Sequence, residues 1–384
     1  MTEPRAHAIL SASGSGKWLV CTPSARLEES IPDEQSQYSS EGTLAHEIFD
    51  SMLRKYLKQP FTSFLDEDLP EGMLYYVTEA YDRAVELIEQ AYKRCPDPII
   101  LAEQRLDFSR WVPEGFGRGD LVVITDDLVE IADLKYGKGV LVEAQENNQM
   151  RLYALGAYNE LSHLYDIKRV RAHILQPRMN NWSSEELSVE QLLDWAQNTV
   201  VPKAATAWAG EGERVAGEHC TSYFCRARFT CPARNAASQE LVNIAFSVLP
   251  AQDLTPDQMA KVLLRADDVI KWLNDAKAWA LQQAEKGNTV PGFKLVEGRS
   301  NRRYANESDV AQVLLDNGFT EQQIYQSSLL GITAMEQLLG KKKFAEILGD
   351  LIEKPQGKPT LVPESDKRPA IDVLAHFTDE SQED

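Results

Sequence analysis

The chain has 384 residues, 43% of them hydrophobic, and a formal net charge of -19, which is enough apolar sequence for a sizeable core plus an accessory domain. So acidic a chain is not expected to coat nucleic acid nonspecifically, because phosphate contacts need cationic surface. Local Lys and Arg clusters or bound divalent cations can still attract phosphate. No run approaches the roughly 18 apolar residues of a membrane helix, and the opening MTEPRAHAIL lacks the basic and apolar regions of a signal peptide. The expectation is a cytoplasmic protein without a membrane partner. The five cysteines, Cys21, Cys95, Cys220, Cys225 and Cys231, are an odd number. Metal ligation is therefore expected over a disulfide framework.

In chain order, apolar spacing predicts helices over 41–57 and 71–94, the second carried by Leu74, Val77, Ala80, Ala84 and Ile88. From Ile99 the pattern becomes short β-type runs, IILAEQRLDF, GRGDLVVIT and LVEIADLKY, followed by a helix in ENNQMRLYALGAYNEL and a strand in VRAHILQP. That order predicts an α/β fold, a mixed sheet flanked by helices. A further helix is expected over 187–208, then helical segments near 256–286, 308–317 and 342–353. The expected division is 1–240, a helical accessory domain 241–353, and an extended or disordered tail 354–384 rich in Pro and charge.

The most informative chemistry lies in GRGDLVVITDDLVEIADLKYGKG. If Asp126 and Asp127 are the two-residue turn of a hairpin, counting back in register sets Asp120 opposite Asp133. Val122, Ile124, Val129 and Ile131 then share their face, so two carboxylates end an apolar surface, where a bound cation would offset their burial. Lys135 projects from the same face as Asp133. Carboxylate oxygens suit Mg²⁺ or Mn²⁺, which retain waters for use as nucleophile, and an adjacent ammonium can orient such a water or stabilise phosphorane charge. The reaction expected is phosphodiester hydrolysis. Asp133 and Lys135 alone would read as a solvated salt-bridging hairpin. Gln149 and Tyr153, four apart on the next helix, share a face suited to holding a phosphate or base, and His46 offers an imidazole ligand. Lys138 reads as a loop lysine.

Taken together, GTLAH at Gly42 to His46, the strand from Gly117 to Asp120, Asp133-x-Lys135 and Gln149-x-x-x-Tyr153 stand in an order that resembles RecB/AddB-type nucleases of the PD-(D/E)XK superfamily. The resemblance implies a restriction-endonuclease-like core in which His46, Asp120 and Asp133 bind metal and Lys135 acts on the water. It further implies that Gln149 and Tyr153 position the DNA strand, with Glu103 as a supporting acid. The activity implied is that of a DNA exonuclease.

Cys220, Cys225 and Cys231 lie in HCTSYFCRARFTCPARN with four and then five residues between them, a spacing that can surround one metal centre. On the same resemblance Cys21 is the fourth ligand of a [4Fe-4S] cluster that staples the chain around its core. Zn²⁺ bound by the three thiolates with Cys21 or His219 is the alternative. The family's first gap is commonly shorter than the one here. Cys95 fits no part of the pattern and reads as a packed thiol. SGSGKW imitates a phosphate-binding loop, but Ser11 and Trp18 occupy positions that need Gly and Ser/Thr, so no ATPase is expected.

In the last third, GFKLVEGRSNRRY gathers Lys294, Arg299, Arg302 and Arg303 beside Phe293 and Tyr304, a composition suited to single-stranded DNA. In its whole layout the chain is similar to a largely phage-encoded family of such nucleases. The partners this implies are DNA with a free end or single-stranded region and phage replication or recombination proteins. Two other readings are a non-catalytic DNA-binding or replication-scaffold protein that keeps the fold, and a zinc-stapled structural protein.

Overall fold

The computed structural model describes residues 8–32, 37–64, 69–70, 72–247, 255–296, 307–325 and 331–352. Two short helices, α1 (Ser15–Trp18) and α2 (Ser24–Glu29), precede the long α3 (Gln37–Tyr56) and α4 (Met73–Arg94). Three strands follow, β1 (Ile99–Asp107), β2 (Phe116–Ile124) and β3 (Leu128–Leu134), then α5 (Asn148–Leu161), β4 (Arg169–Gln176) and β5 (Asn181–Ser188). The five strands form one mixed sheet in the order β1-β2-β3-β4-β5, with β3 and β4 parallel and every other pair antiparallel. The α5 crossover is what permits the parallel pair.

Period-two alternation in β2 and β3 splits the core between the two faces of the sheet. Val122, Ile124, Val129 and Ile131 pack with Met150, Leu152, Tyr153 and Leu155 of α5. Leu121, Val123, Ala132 and Leu134 pack with Ile48, Phe49 and Leu53 of α3 and Val77, Ala80, Ala84 and Ile88 of α4. Both faces of β3 are therefore covered, and all seven of its residues are buried, Glu130 and Asp133 included. Glu130, only 2% exposed, is neutralised by Arg94 and by Arg171 at 3.0 Å, with His173 Nε2 at 3.3 Å. Burial and the neighbouring Arg171 and Arg94 charges push His173 down to about 4, so it stays neutral beside them.

Helix α5 reaches the sheet closely because Gly156 lies over β1. A Cβ there would stand 2.8 Å from Leu106 Cβ and 3.0 Å from its carbonyl carbon, and one of those atoms is backbone. Gly156→Val is expected to destabilise the protein by about 2 kcal/mol or more, as overpacking does. Chemical denaturation checks it, and an unchanged midpoint would mean that α5 is free to move off the sheet.

After β5 comes α6 (Val189–Trp195), opened by a capping box in which Ser188 and Gln191 satisfy each other's backbone N–H groups. A π turn, Ala196–Val200, joins it to α7 (Val201–Ala209), so the helix expected over 187–208 is interrupted. The short α8 (His219–Ser222), α9 (Pro232–Ser247) and α10 (Pro256–Glu285) follow. The chain divides into two compact units, 1–288 and 289–384. The division falls after α10 instead of near 240, because α10 is tied to the cysteine segment. Asp275 takes Arg234 at 2.6 Å and Arg228 at 3.3 Å, and Trp272 Nε1 donates to Asn235 Oδ1. The second unit holds α11 (Glu307–Asp316), α12 (Glu321–Ile324), α13 (Ile332–Leu339) and α14 (Lys341–Leu348). The expected tail from 354 lies outside the described residues. Among those residues no helix is long and apolar enough to cross a membrane.

Candidate metal and nuclease site

The β2–β3 hairpin closes with Thr125 N–H donating to Leu128 O at 3.0 Å across Asp126 and Asp127, and its pairing runs to Leu121 opposite Ala132. One step further along that register stand Asp120 and Asp133, both buried. Asp120 Oδ2 accepts the Leu134 N–H at 2.6 Å, which fixes the carboxylate, and Oδ1 lies 3.1 Å from His46 Nδ1 on α3.

Glu103 on β1 completes this end of the site. Its φ is +48°, in the left-handed region that a non-glycine residue adopts at a cost. The faces of the strand change phase there. Ile99 and Leu101 before Glu103, and Leu106 and Phe108 after it, all belong to the core on the α5 side. The β1–β2 register is the same on both sides of the kink, from Ala102 opposite Leu121 to Gln104 opposite Gly119. The strands therefore bend together at Glu103 and Asp120 without slipping. His46, Glu103 and Asp120 each present one ligand atom, and the three atoms lie within 4.8 Å of one another. An octahedral Mg²⁺ or Mn²⁺ with oxygens at about 2.1 Å spaces its ligand atoms roughly 3.0 to 4.2 Å apart, so the donor set suits a hard divalent ion.

The electrostatics say the same. Burial lifts Glu103 to about 7, helped by the Asp120 charge, and lifts Asp133 against the pull of Lys135. For His46 burial alone would lower the imidazolium, but the charge and hydrogen bond of Asp120 and the charge of Asp133 reverse that and raise it to about 9. A proton on His46 and a divalent cation are alternative ways of balancing the same carboxylates.

Lys135 joins this group to α5. Its Nζ lies 2.9 Å from Asp133 Oδ2 and donates to Gln149 Oε1 at 2.8 Å, while Gln149 Nε2 faces Asp133 Oδ1 at 3.3 Å and Tyr153 Oη at 3.0 Å. Burial and the Asp133 charge push the Tyr153 phenol far up, so it remains protonated. His46 and Asp120 are in contact, and so are Asp133, Lys135, Gln149 and Tyr153. The two sets adjoin where Asp120 accepts the N–H of Leu134, the residue after Asp133, but the ligand atoms that converge are those of His46, Glu103 and Asp120, without Asp133.

Sequence reasoning missed the polar side chains that hold the connection from Lys135 to Gln149. Asn181 Nδ2 donates to Val142 O, Ser183 Oγ accepts from Ala144 N–H, and Glu185 Oε1 accepts from Glu146 N–H, all at 2.7 to 2.9 Å. The same Glu185 holds Arg151 of α5 through both oxygens, at 3.0 and 2.6 Å. The residue spacing is two on each side, so β5 lays the segment along itself by side chains. NWSSEELS is polar on both faces, so no alternation in the sequence marks it.

The cysteine segment packs on the N-terminal helices. Arg226 N–H donates to Glu28 Oε1 at 2.7 Å, Arg226 Nη1 reaches Ile31 O, and the Tyr223 ring fills the space over Gly16. Lys17 is spent in a buried pair with Glu28 at 2.6 Å, which agrees with discarding SGSGKW as a phosphate loop. The Cys21 segment is thereby carried to the segment with Cys220 and Cys225, all three thiols being buried, and Cys231 half-buried. Burial and the Glu28 charge push Cys225 up to about 11. Among the described residues, no three of these sulfurs lie within 4.8 Å of one another. His219 Nε2 donates to Val215 O at 3.0 Å. Lys294 is exposed, whereas Arg299, Arg302 and Arg303 lie outside the described residues.

Residues 7–369 match the family described as "Protein of unknown function (DUF2800)", and the chain belongs to that family. A solved structure titled "Crystal structure of SSO0001" is similar over 61% of this chain and 89% of that one, with 11% identity and a TM-score of 0.28. A likeness that loose carries no argument for fold or function.

Proposed function

We propose that this chain is a metal-dependent DNA exonuclease of the PD-(D/E)XK type. The observation that carries the reading is the juxtaposition of His46, Glu103 and Asp120 within 4.8 Å with the Asp133, Lys135 and Gln149 chain of polar contacts. Three acids, an imidazole and an ammonium gathered at the end of a buried hairpin from β1, β2, β3 and α3 are costly for stability, and such groupings cluster at functional sites.

His46, Glu103 and Asp120 would hold the cation, with the Asp133 carboxylate, next to Lys135, adding negative charge beside them. A bound Mg²⁺ or Mn²⁺ supplies Lewis acidity toward the scissile phosphate and a water of lowered pKa. Lys135, held in place by Gln149 and Asp133, orients the attacking water and offsets negative charge growing on the phosphorane. Gln149 and Tyr153 position the strand. The Cys21, Cys220, Cys225 and Cys231 thiolates would hold a [4Fe-4S] cluster, a structural staple between the N-terminal helices and the late segment. The setting that suits these parts is cytoplasmic processing of DNA ends in phage replication or recombination, with Lys294, Arg299, Arg302 and Arg303 adding affinity for the strand.

The purified full chain is expected to degrade linear DNA in Mg²⁺ or Mn²⁺, to stop on chelation, and to spare covalently closed circles. Intact linear DNA in both metals would overturn the nuclease reading and favour a DNA-binding protein that keeps the fold. Cleavage of closed circles would remove the end requirement alone.

A further inference from the structure

Two segments meet beside Lys135. The first is the loop that follows it, Gly137 to Leu141, and the second is the turn after β4, Pro177 to Asn180. Gln176 joins them. It is 1% exposed, and its Nε2 donates to Gly137 O at 3.0 Å and Val140 O at 2.7 Å while its Oε1 accepts the Val142 N–H at 3.0 Å. Asn181, from the far side of the turn, donates to Gln176 Oε1 and to Val142 O. Tyr136 lies under Arg178, and Arg178 reaches Glu41 on α3 at 3.5 Å. The base of the loop is thus fixed by a buried amide to the frame that holds His46 and Lys135.

The tip faces outward. Val142 packs on the core, whereas Val140 is 55% exposed, Leu141 51%, and Met179 on the adjoining turn 37%. Lys138 is exposed between two glycines that have open space around them. Single exposed apolar residues are ordinary. Here three of them stand on two segments that Gln176 ties together, one of which begins two residues after Lys135 and carries the exposed Lys138, so apolar surface and a cation are presented on one fixed footing close in the chain to Lys135.

We propose that Val140, Leu141 and Met179 form an apolar wedge that unstacks the terminal base pairs of duplex DNA and hands one strand to Lys135. The inference rests on the nuclease reading above and adds the substrate to it, a paired DNA end. Aliphatic side chains inserted between base steps unstack them, and a wedge needs the rigid footing that Gln176 provides. Lys138 pairs with the backbone phosphate of the displaced strand. Bases supply the apolar partner and phosphates the anionic one, in the order the loop presents them.

The test uses the full chain and a triple variant, Val140→Ser with Leu141→Ser and Met179→Ser, on exposed positions that leave the fold intact. The probe is a linear duplex carrying 2-aminopurine at its end, bound in Ca²⁺ and degraded in Mn²⁺. Wild type is expected to raise the probe's fluorescence on binding, and the triple variant to bind with little rise. The variant should degrade a fully paired end about tenfold more slowly, and an end frayed by mismatches less than about twofold more slowly. An equal fluorescence rise in both proteins, or equal slowing on paired and frayed ends, would overturn the wedge. Unstacking by wild type without cleavage in any metal keeps the wedge and sinks the nuclease reading. Wild type that binds no DNA end sinks both.

Discussion

Asp120→Asn and Asp133→Asn are each expected to lower metal-dependent DNA degradation by about 10³-fold or more, and Lys135→Ala by about 10²-fold or more, with the fold retained. The amide at Asp120 can still accept the Leu134 N–H that now reaches Oδ2 at 2.6 Å, so the hairpin keeps its end while the site loses a charged ligand. Asp133 is a stronger case. Its carboxylate is buried, raised by that burial and by the Asp120 charge, and only Lys135 offsets it among the larger influences, with His46 adding less. Neutralising it removes an unfavourable charge, so Asp133→Asn should melt at the same temperature as wild type or higher while losing activity, the trade expected where a site is built against stability. Gln149→Ala should cost less, about tenfold, because it removes the holder of Lys135 and not a ligand. Single-turnover degradation of linear DNA in Mn²⁺, read beside thermal melts, checks the series. Cleavage at the wild-type rate by all three principal variants would remove these residues from the chemistry. Inactivity accompanied by a melting temperature lowered by many degrees would instead make the cluster a structural ion-pair network.

The hairpin was legible in the sequence because its turn and its alternation are both local. Asp126 and Asp127 set the register, and Val122, Ile124, Val129 and Ile131 fall on one face in the structure as the period of two requires. Glu103 was assigned only by resemblance, since glutamate gives no sign that a strand will kink into positive φ. Strand β5 was missed because NWSSEELS is polar on both faces, and its residues act by side chain on the loop across from them. An edge strand of that kind carries no apolar alternation to find. The boundary near 240 followed a change of composition, whereas the structure extends the first unit to residue 288. The reason is long-range: Arg228 and Arg234 meet Asp275 from some forty residues away, a pairing with no local signature.

Replacement of Cys220, Cys225, Cys231 or Cys21 by Ser is expected to bleach a visible iron-sulfur absorbance from anaerobically purified protein and to lower the melting temperature by about 10 °C or more. Cys95→Ser should do neither, because its Sγ sits near Asp97 and Asp126 at the other end of the sheet hairpin, away from the late segment. The size of the effect follows from what the centre closes. Cys21 and Cys220 are separated by about two thirds of the first unit, so a metal link between them would restrict a very long loop of the unfolded chain. Folding already supplies part of this closure, through Arg226 on Glu28 and Ile31 and through Tyr223 over Gly16. Loss of the centre should therefore loosen the α1, α2 and α8 region first and leave the β2–β3 hairpin protected from hydrogen exchange. The metal itself is decided by analysis. Tetrahedral zinc at about 2.3 Å from each thiolate needs sulfurs roughly 3.8 Å apart, closer than any three of these sulfurs stand among the described residues. A four-iron cube spreads its thiolates wider than a single ion does. Iron and sulfide in stoichiometric amounts, with a broad absorbance lost in each of the four serine variants, is the expected result. A colourless protein with one equivalent of zinc would reassign the centre.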